Sequence, residues 1–542
     1  MMVLPVFGQN NELTNSDNHA LLYAHQLGFS SQAMPTVRMR IADGVTQLRF
    51  TPRSAFTVLP SGVDGAQVRL KGGVTYTVEI QSAHSGHYQY GAILARSESL
   101  ADLNDAVDYC RAQDIDVEMV SIGAVFALRG TVFDSRENLL LTRRTDDRDG
   151  VHALRKSIRL PERLAVGRES EIPDIYTEVD RYPTGTVVLR EASTGIEILN
   201  RNRLDFDFSS KGAVFYQIEN ENNKKEDTIL NGQVIVTPDS MGKIAVVQST
   251  DVETLLRGIV PAEIFASAPE AALEAQAIAA RTTLMAQVGA RHLAEPYHLC
   301  NRQHCQVYRG LSGADPRTDL AIQKTRGQVL VEGKKLAQTY YSAHCGGISS
   351  GRDEAWGLPP KGYLPTQTDN ARAAAHGLHS DSDFVAWYEA ENDSYCGGAP
   401  AGKKDFASVK HARWKVHLES REIDAALKKF GASVGKIQSI EVVERGPSFR
   451  ATKLRITGDE GIFEVERELP IRRFLGGLKS ALFVLRSYRK GTTVTSVDVL
   501  GAGFGHGVGL CQTGAIGMAQ RDIPVESILE HYFPGAKLVT LY

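Results

Sequence analysis

A few residues of this chain have the types and spacing that chemistry needs. Glu263 follows Val260-Pro261-Ala262 and stands just before an alanine-rich segment. A carboxyl on a rigid support can act as a general acid; it can also simply complement the N-terminus of the helix that follows it. Cys300, His304 and Cys305, with His292 and His298 upstream, offer enough thiol and imidazole ligands for tetrahedral zinc. The rival is a Cys300–Cys305 disulfide in an exported protein. Gly501, Gly503, Gly505, Gly507 and Gly509 strip one face of an extended chain, so that a backbone or ligand can approach closely. No Gly-x-x-x-x-Gly-Lys closes this run, which excludes a phosphate loop. Tyr340-Tyr341-Ser342-Ala343-His344-Cys345-Gly346-Gly347 continues to Trp356 and Tyr363, and aromatic faces suit sugar rings. Cys345 is a poor nucleophile beside His344, because neighbours on a strand point to opposite faces. It is free to pair with Cys396, which also precedes Gly-Gly.

These residues need elements to hold them. Leu273, Ala277, Ala280 and Leu284 fall on one helical face, and the many alanines imply close packing, so this helix is central. Ser267 and Glu270 predict a capping box at its start, with Pro269 in the first turn. Upstream, Val37, Met39 and Ile41, then Leu48 and Phe50, then Val74, Tyr76, Val78 and Ile80, alternate as half-buried strands do. Leu100, Leu103, Val107 and Cys110 predict a helix, and Val117, Met119 and Val125 to Leu128 predict strands after it. The expected organisation is a flexible tail over 1–34, a mostly β or small α/β module over 35–145, a charged linker over 146–181, and one large unit over 182–542.

The chain has 542 residues, with 61 Lys+Arg against 64 Asp+Glu and a formal charge of −3. That balance leaves no basic footprint for nucleic acid. No run of 18 or more apolar residues predicts a membrane span. Six cysteines are too few for a disulfide scaffold. Met1 to Gly8 is apolar, but it is short for a secretion signal and lacks a basic region.

Several motifs together resemble the SpoIID/LytB family, which includes sporulation stage II protein D, a lytic transglycosylase of peptidoglycan, and LytB-type amidase enhancers. They are Val260-Pro261-Ala262-Glu263 with Glu274-Ala275-Gln276-Ala277-Ile278-Ala279-Ala280-Arg281-Thr282; Cys300 to Tyr308; Tyr340 to Gly347 with the Trp356 and Tyr363 elements; and Gly503-Phe504-Gly505-His506-Gly507-Val508-Gly509 with Gln512 and Gly514-Ala515. The resemblance covers roughly 182–542. It implies an α+β fold with mixed strands around the alanine-rich helix, preceded by the smaller module. Residues 73–142 faintly resemble a glycan-binding SPOR unit, a strand–helix–strand pattern that a generic small α/β module also explains.

By that resemblance Glu263 is the catalytic acid of non-hydrolytic cleavage between N-acetylmuramic acid and N-acetylglucosamine. Arg281, Gln276, Tyr340, Tyr363, Trp356, His506 and Gln512 then bind substrate. Cys300, His304, Cys305 and His292 are the ligands of a structural zinc, while catalysis itself needs no cofactor. The implied partners are glycan strands, denuded ones in the sporulation members, and a cell-wall amidase. The implied location is extracytoplasmic. The competing implication is a non-catalytic amidase enhancer. Cys511 and Thr513 depart from the family's usual Ser and aromatic, and His344-Cys345 departs from its small Ser/Thr residues.

Overall fold

A computed structural model describes residues 19–60, 67–158, 160–161, 175–191, 193–219, 224–370, 378–390, 392–398, 402–403 and 409–542. Its largest sheet is an antiparallel array that runs, edge to edge, through Gly28–Phe29, Pro35–Val45, Ile244–Asp251, Lys225–Pro238, Leu204–Glu219, Leu48–Pro52, Tyr76–His84, Thr184–Glu191 and Glu197–Arg201. The expected boundary at 181/182 therefore does not separate two sheets. Strands from both sides of it alternate in one hydrogen-bonded ladder, with Val247 opposite Arg40 and Val188 opposite Glu79. Leu299-Cys300 adds to the same sheet, parallel to Met39-Arg40. Period-2 patterning identifies strands but not their partners, and here the partners lie about one hundred to two hundred residues apart.

The predicted tail is also anchored where it is described. Leu22 and Leu27 are buried, His19 bonds the Pro183 carbonyl at 2.9 Å, and Arg38 reaches the carbonyls of Leu22 and Ala24. Residues 1–18 lie outside the described part.

A second sheet carries the order Ile175–Arg181, His87–Ser97, Glu137–Thr142, Val117–Ile122. Helix α1, Ala101–Ala112, follows its first strand and buries Leu103, Val107 and Cys110, as their spacing predicts. Leu100 sits at the N-cap and is exposed. Helix α2, Arg148–Ser157, packs on the strand His87–Ser97 and starts at Asp147, whose side chain accepts the Gly150 N–H. The result is a split βαββαβ unit over 87–181. The segment expected as a linker over 146–181 thus supplies a helix and an edge strand to this unit. On α2 Arg148, Asp149 and Lys156 face solvent while Val151 and Arg155 are buried; residues 162–174 lie outside the described part.

The central helices follow. Asp251 caps α3, Val252–Glu263, through the Thr254 N–H. Helix α4, Glu270–Ala286, is buried on nearly every side. It packs on α3, on Pro316–Lys324, on α5 (Gln512–Ala519) and on Val525–Tyr532. Its N-cap is Pro269, with extended backbone and no side-chain cap, so the Ser267–Glu270 box does not form: Ser267 falls two residues before the cap. Between Gly347 and Phe504 the chain leaves to build a lobe with its own core. Trp414–Glu419, Thr493–Gly501 and Phe483–Lys490 form one sheet, and Ile437–Arg445, Ala451–Gly458 and Ile462–Glu466 another. Trp414, Leu427, Leu454, Phe474 and Val497 lie in that core.

Candidate active site

Glu263 is the last residue of α3, with Pro261 in the same final turn, rather than a residue of the following loop. The carboxylate therefore sits at a helix C-terminus, where the macrodipole disfavours negative charge. An opposing contact favours it: Glu263 Oε1 accepts the backbone N–H of Val307 at 3.1 Å. Val260 and Ile264 beside it are buried, while Phe265 is 63% exposed.

Val307 is carried by the cysteine loop. Tyr308 anchors that loop, its hydroxyl donating to Gln248 Oε1 at 2.6 Å. Gly258 of α3 makes room for it, since a Cβ there would lie 2.5 Å from the Tyr308 ring. Gln306 donates to the Ala280 carbonyl of α4 and accepts the Tyr341 hydroxyl, both at 3.1 Å. Burial, with the Glu263 carboxylate adding, pushes the Tyr341 phenol well above its ordinary range. Tyr341 and Gln306 are thus part of the Glu263 environment, though the motif reading chose Tyr340 instead. The alternation of a strand was the available signal, because Tyr340 and Tyr341 must face opposite ways.

The four expected zinc ligands converge. Donor atoms of His292, Cys300, His304 and Cys305 lie within 4.8 Å of one another. Cys305 Sγ is 3.3 Å from His292 Nε2 and 3.5 Å from His304 Nδ1, and Cys300 Sγ is 3.8 Å from His304 Nδ1. Both cysteines are free. The hydrogen bond from Cys305 holds the Cys300 thiol well below its ordinary range, while burial pushes Cys305 up. A two-sulfur, two-nitrogen donor set of this compactness fits tetrahedral zinc with no position left open. His298 stands apart, accepting the Arg38 N–H at 3.3 Å.

The remaining predicted residues separate into three places. Gln512 Nε2, in the first turn of α5, donates to Gln276 Oε1 on α4 at 3.2 Å; the Gln276 amide nitrogen is buried without a partner. Tyr340, Trp356 and His506 form an aromatic group, with ring centroids 4.5 Å apart for Tyr340–Trp356 and 5.0 Å for Trp356–His506. His506 Nδ1 accepts the Val508 N–H, and burial drives this imidazole down to about 3. The Tyr363 hydroxyl accepts the Gln338 N–H beside this group.

Arg281 goes elsewhere. It is fully buried and grips Glu253 with two bonds of 2.8 Å. Glu253 and Glu263 are ten residues apart on α3, about 15 Å along its axis. Arg281 therefore fastens the far end of the helix that carries Glu263.

Past Gly501, which ends the strand Thr493–Gly501, the glycine run is not extended. Gly503, Gly505, Gly507 and Gly509 all have φ between +70° and +103°, and Cβ atoms at Gly503 and Gly509 would press on the His344 and Tyr340 carbonyls. Close approach to another backbone is met, through left-handed turns rather than a bare strand.

Residues 240–331 match the family described as Stage II sporulation protein, and residues 350–509 match a domain of unknown function, DUF8618. An uncharacterized protein of Brachyspira hyodysenteriae is 26% identical over 294 residues, 54% of this chain and 68% of that one. Stage II sporulation protein D of Bacillus amyloliquefaciens is 26% identical over 310 residues, 54% of this chain and 75% of that one. The amidase enhancer of Bacillus subtilis is 24% identical over 305 residues, 53% of this chain but 40% of that one.

Proposed function

We propose, from the premise that this chain belongs to the SpoIID/LytB family, that Glu263 is the acid–base group of a peptidoglycan lytic transglycosylase. The relatives point to a cell-wall related function. The single observation that carries the finer reading is the placing of Glu263, at a rigid helix end, held by Val307 N–H and lying beside exposed Phe265.

The chemistry needs one carboxyl. Glu263 gives its proton to the glycosidic oxygen as the C1–O bond to N-acetylglucosamine breaks. The C6 hydroxyl of the muramic sugar attacks C1, and the Glu263 carboxylate takes that hydroxyl proton. The products are a free N-acetylglucosamine 4-hydroxyl and a 1,6-anhydro end, with no water consumed. A two-carboxyl glycosidase would need a second acid or nucleophile. Opposing influences on Glu263, the helix C-terminus and the Val307 amide, suit a group that must exist in both states. Phe265 offers a sugar platform. His292, Cys300, His304 and Cys305 would hold a structural zinc, which would fix the loop bearing Gln306 and Val307.

The test is Glu263→Gln, which keeps shape and removes the proton. Wild type should release anhydro-muropeptides from denuded glycan, and the variant should lose at least about a hundredfold in rate. Equal rates for both would refute the assignment.

A second reading rests on the relative named amidase enhancer: the chain binds glycan and acts on an amidase without turnover of its own. Glycan binding with no anhydro product on either denuded or intact sacculi favours it. Cell-envelope location belongs to both readings. Among the described residues no helix is long and apolar enough to cross a membrane.

A further inference from the structure

We infer that Cys345, Cys396, Cys511 and Asp369 form a second metal site, for a thiophilic divalent cation such as zinc, that joins the lobe to the central helices. Three thiols and a carboxyl, all buried, have their donor atoms within 4.8 Å of one another. They come from separate stretches. Cys345 follows the short strand Tyr341-Ser342, Asp369 and Cys396 belong to the start of the lobe segment, and Cys511 is the N-cap of α5.

Two of the spacings match the edges of a tetrahedron. Metal–sulfur bonds of about 2.3 Å and a metal–oxygen bond of about 2.0 Å imply sulfur–sulfur edges of roughly 3.8 Å and sulfur–oxygen edges of roughly 3.5 Å. Cys345 Sγ lies 3.6 Å from Cys396 Sγ and 3.4 Å from Asp369 Oδ2.

Backbone donors meet two of the three sulfurs. The Gly347 N–H donates to Cys345 Sγ at 3.4 Å, and Cys511 Sγ accepts the N–H groups of Cys345 and Gly514 at 3.1 and 3.3 Å. The first of these needs a tight turn, supplied by Gly346 and Gly347 at φ +84° and +101°. Cys396 is followed by the same pair, Gly397-Gly398. Asp369 is oriented as a metal-ligating carboxylate is: Oδ2 faces Cys345, while Oδ1 accepts the Tyr532 hydroxyl at 2.7 Å and faces His531 Nε2 at 3.3 Å.

Three thiolates, a carboxylate and a dication leave two negative charges in a buried place, and a cation is there to meet them. Arg413 donates to the Gly346 carbonyl at 3.2 Å, and two of its nitrogens, Nε and Nη2, are buried without a hydrogen-bond partner. Fully buried Arg450, whose charge faces Glu354, also holds the Cys345 backbone by donating to its carbonyl at 2.7 Å. A metal here ties the lobe to the strand, the glycine loop and α5, which carry Tyr341, His506 and Gln512.

The experiment is elemental analysis of the full chain purified without reductant or chelator and equilibrated with zinc, alongside His292→Ala/Cys300→Ser and Cys345→Ser/Cys396→Ser. Wild type should hold two zinc equivalents and each double variant one. X-ray absorption of the zinc left in His292→Ala/Cys300→Ser should show three sulfurs at about 2.3 Å. That variant leaves the second site intact, so the result stands even if Cys345→Ser/Cys396→Ser does not fold. A His292→Ala/Cys300→Ser protein that holds no zinc, or an intact mass showing a Cys345–Cys396 disulfide in place of bound metal, overturns the site. Neither outcome depends on whether Glu263 is catalytic.

Discussion

The backbone N–H of Val307 reaches Glu263 Oε1 at 3.1 Å, from a residue only two positions beyond Cys305. The putting in place of the carboxylate is thereby coupled to the fold of the cysteine loop. Removing a zinc held by His292, Cys300, His304 and Cys305 should loosen that loop and move Gln306 and Val307 together. Chelation at low protein concentration should lower lytic rate by about tenfold or more, the range typical of lost outer-shell support. Cys305→Ser should do the same, while circular dichroism stays near wild type. Full activity in metal-depleted protein would break the coupling.

Arg281 and Glu253 make a prediction about stability rather than chemistry. Breaking a buried pair by removing one partner costs about 3–5 kcal/mol, because the other charge stays buried. Arg281→Met should therefore lower the midpoint of chemical unfolding strongly. Arg281→Met/Glu253→Leu should recover much of it, and the folded fraction of each should retain the wild-type KM. A raised KM with unchanged stability would put Arg281 at the glycan.

Phe265 makes the opposite prediction. It is 63% exposed, so Phe265→Ala should change stability by less than about 0.5 kcal/mol. Loss of a stacking platform should weaken glycan binding by about five- to tenfold, read as higher KM with kcat nearly unchanged. Unaltered KM would remove Phe265 from the binding face.

His506 predicts a pH effect. Burial first, then Arg472 and Arg450, holds its folded value down to about 3, against about 6.5 when unfolded. Between those values the unfolded chain binds the extra proton. Stability from this group is therefore whole above about pH 6.5 and declines as pH falls towards about 3, by at most about 1.4 kcal/mol per pH unit. His506→Gln should give a shallower fall of unfolding free energy between about pH 6 and pH 4. Parallel curves for the two proteins would contradict the neutral assignment.

Some of this was legible in the linear chain. The clustering of His292, Cys300, His304 and Cys305 could be foreseen because they span fourteen residues, and short spacings survive folding. Helix α4 could be placed because alanine and leucine recur on its faces, and α1 because its buried positions repeat with helical period. Local periodicity determined the type of these two helices.

Tertiary structure alone decided partners and directions. Residue spacing carries no information on which strands will share a ladder, so Pro35–Val45 meeting Ile244–Asp251 erased the boundary drawn between them. A motif names Arg281 but not the way it points; packing of α4 against α3 turned it to Glu253. The meeting of Cys345, Asp369, Cys396 and Cys511 spans more than 160 residues and depends on a lobe folding out and returning. Long-range convergence of this kind is fixed by burial of whole surfaces, a quantity that no short window of sequence contains.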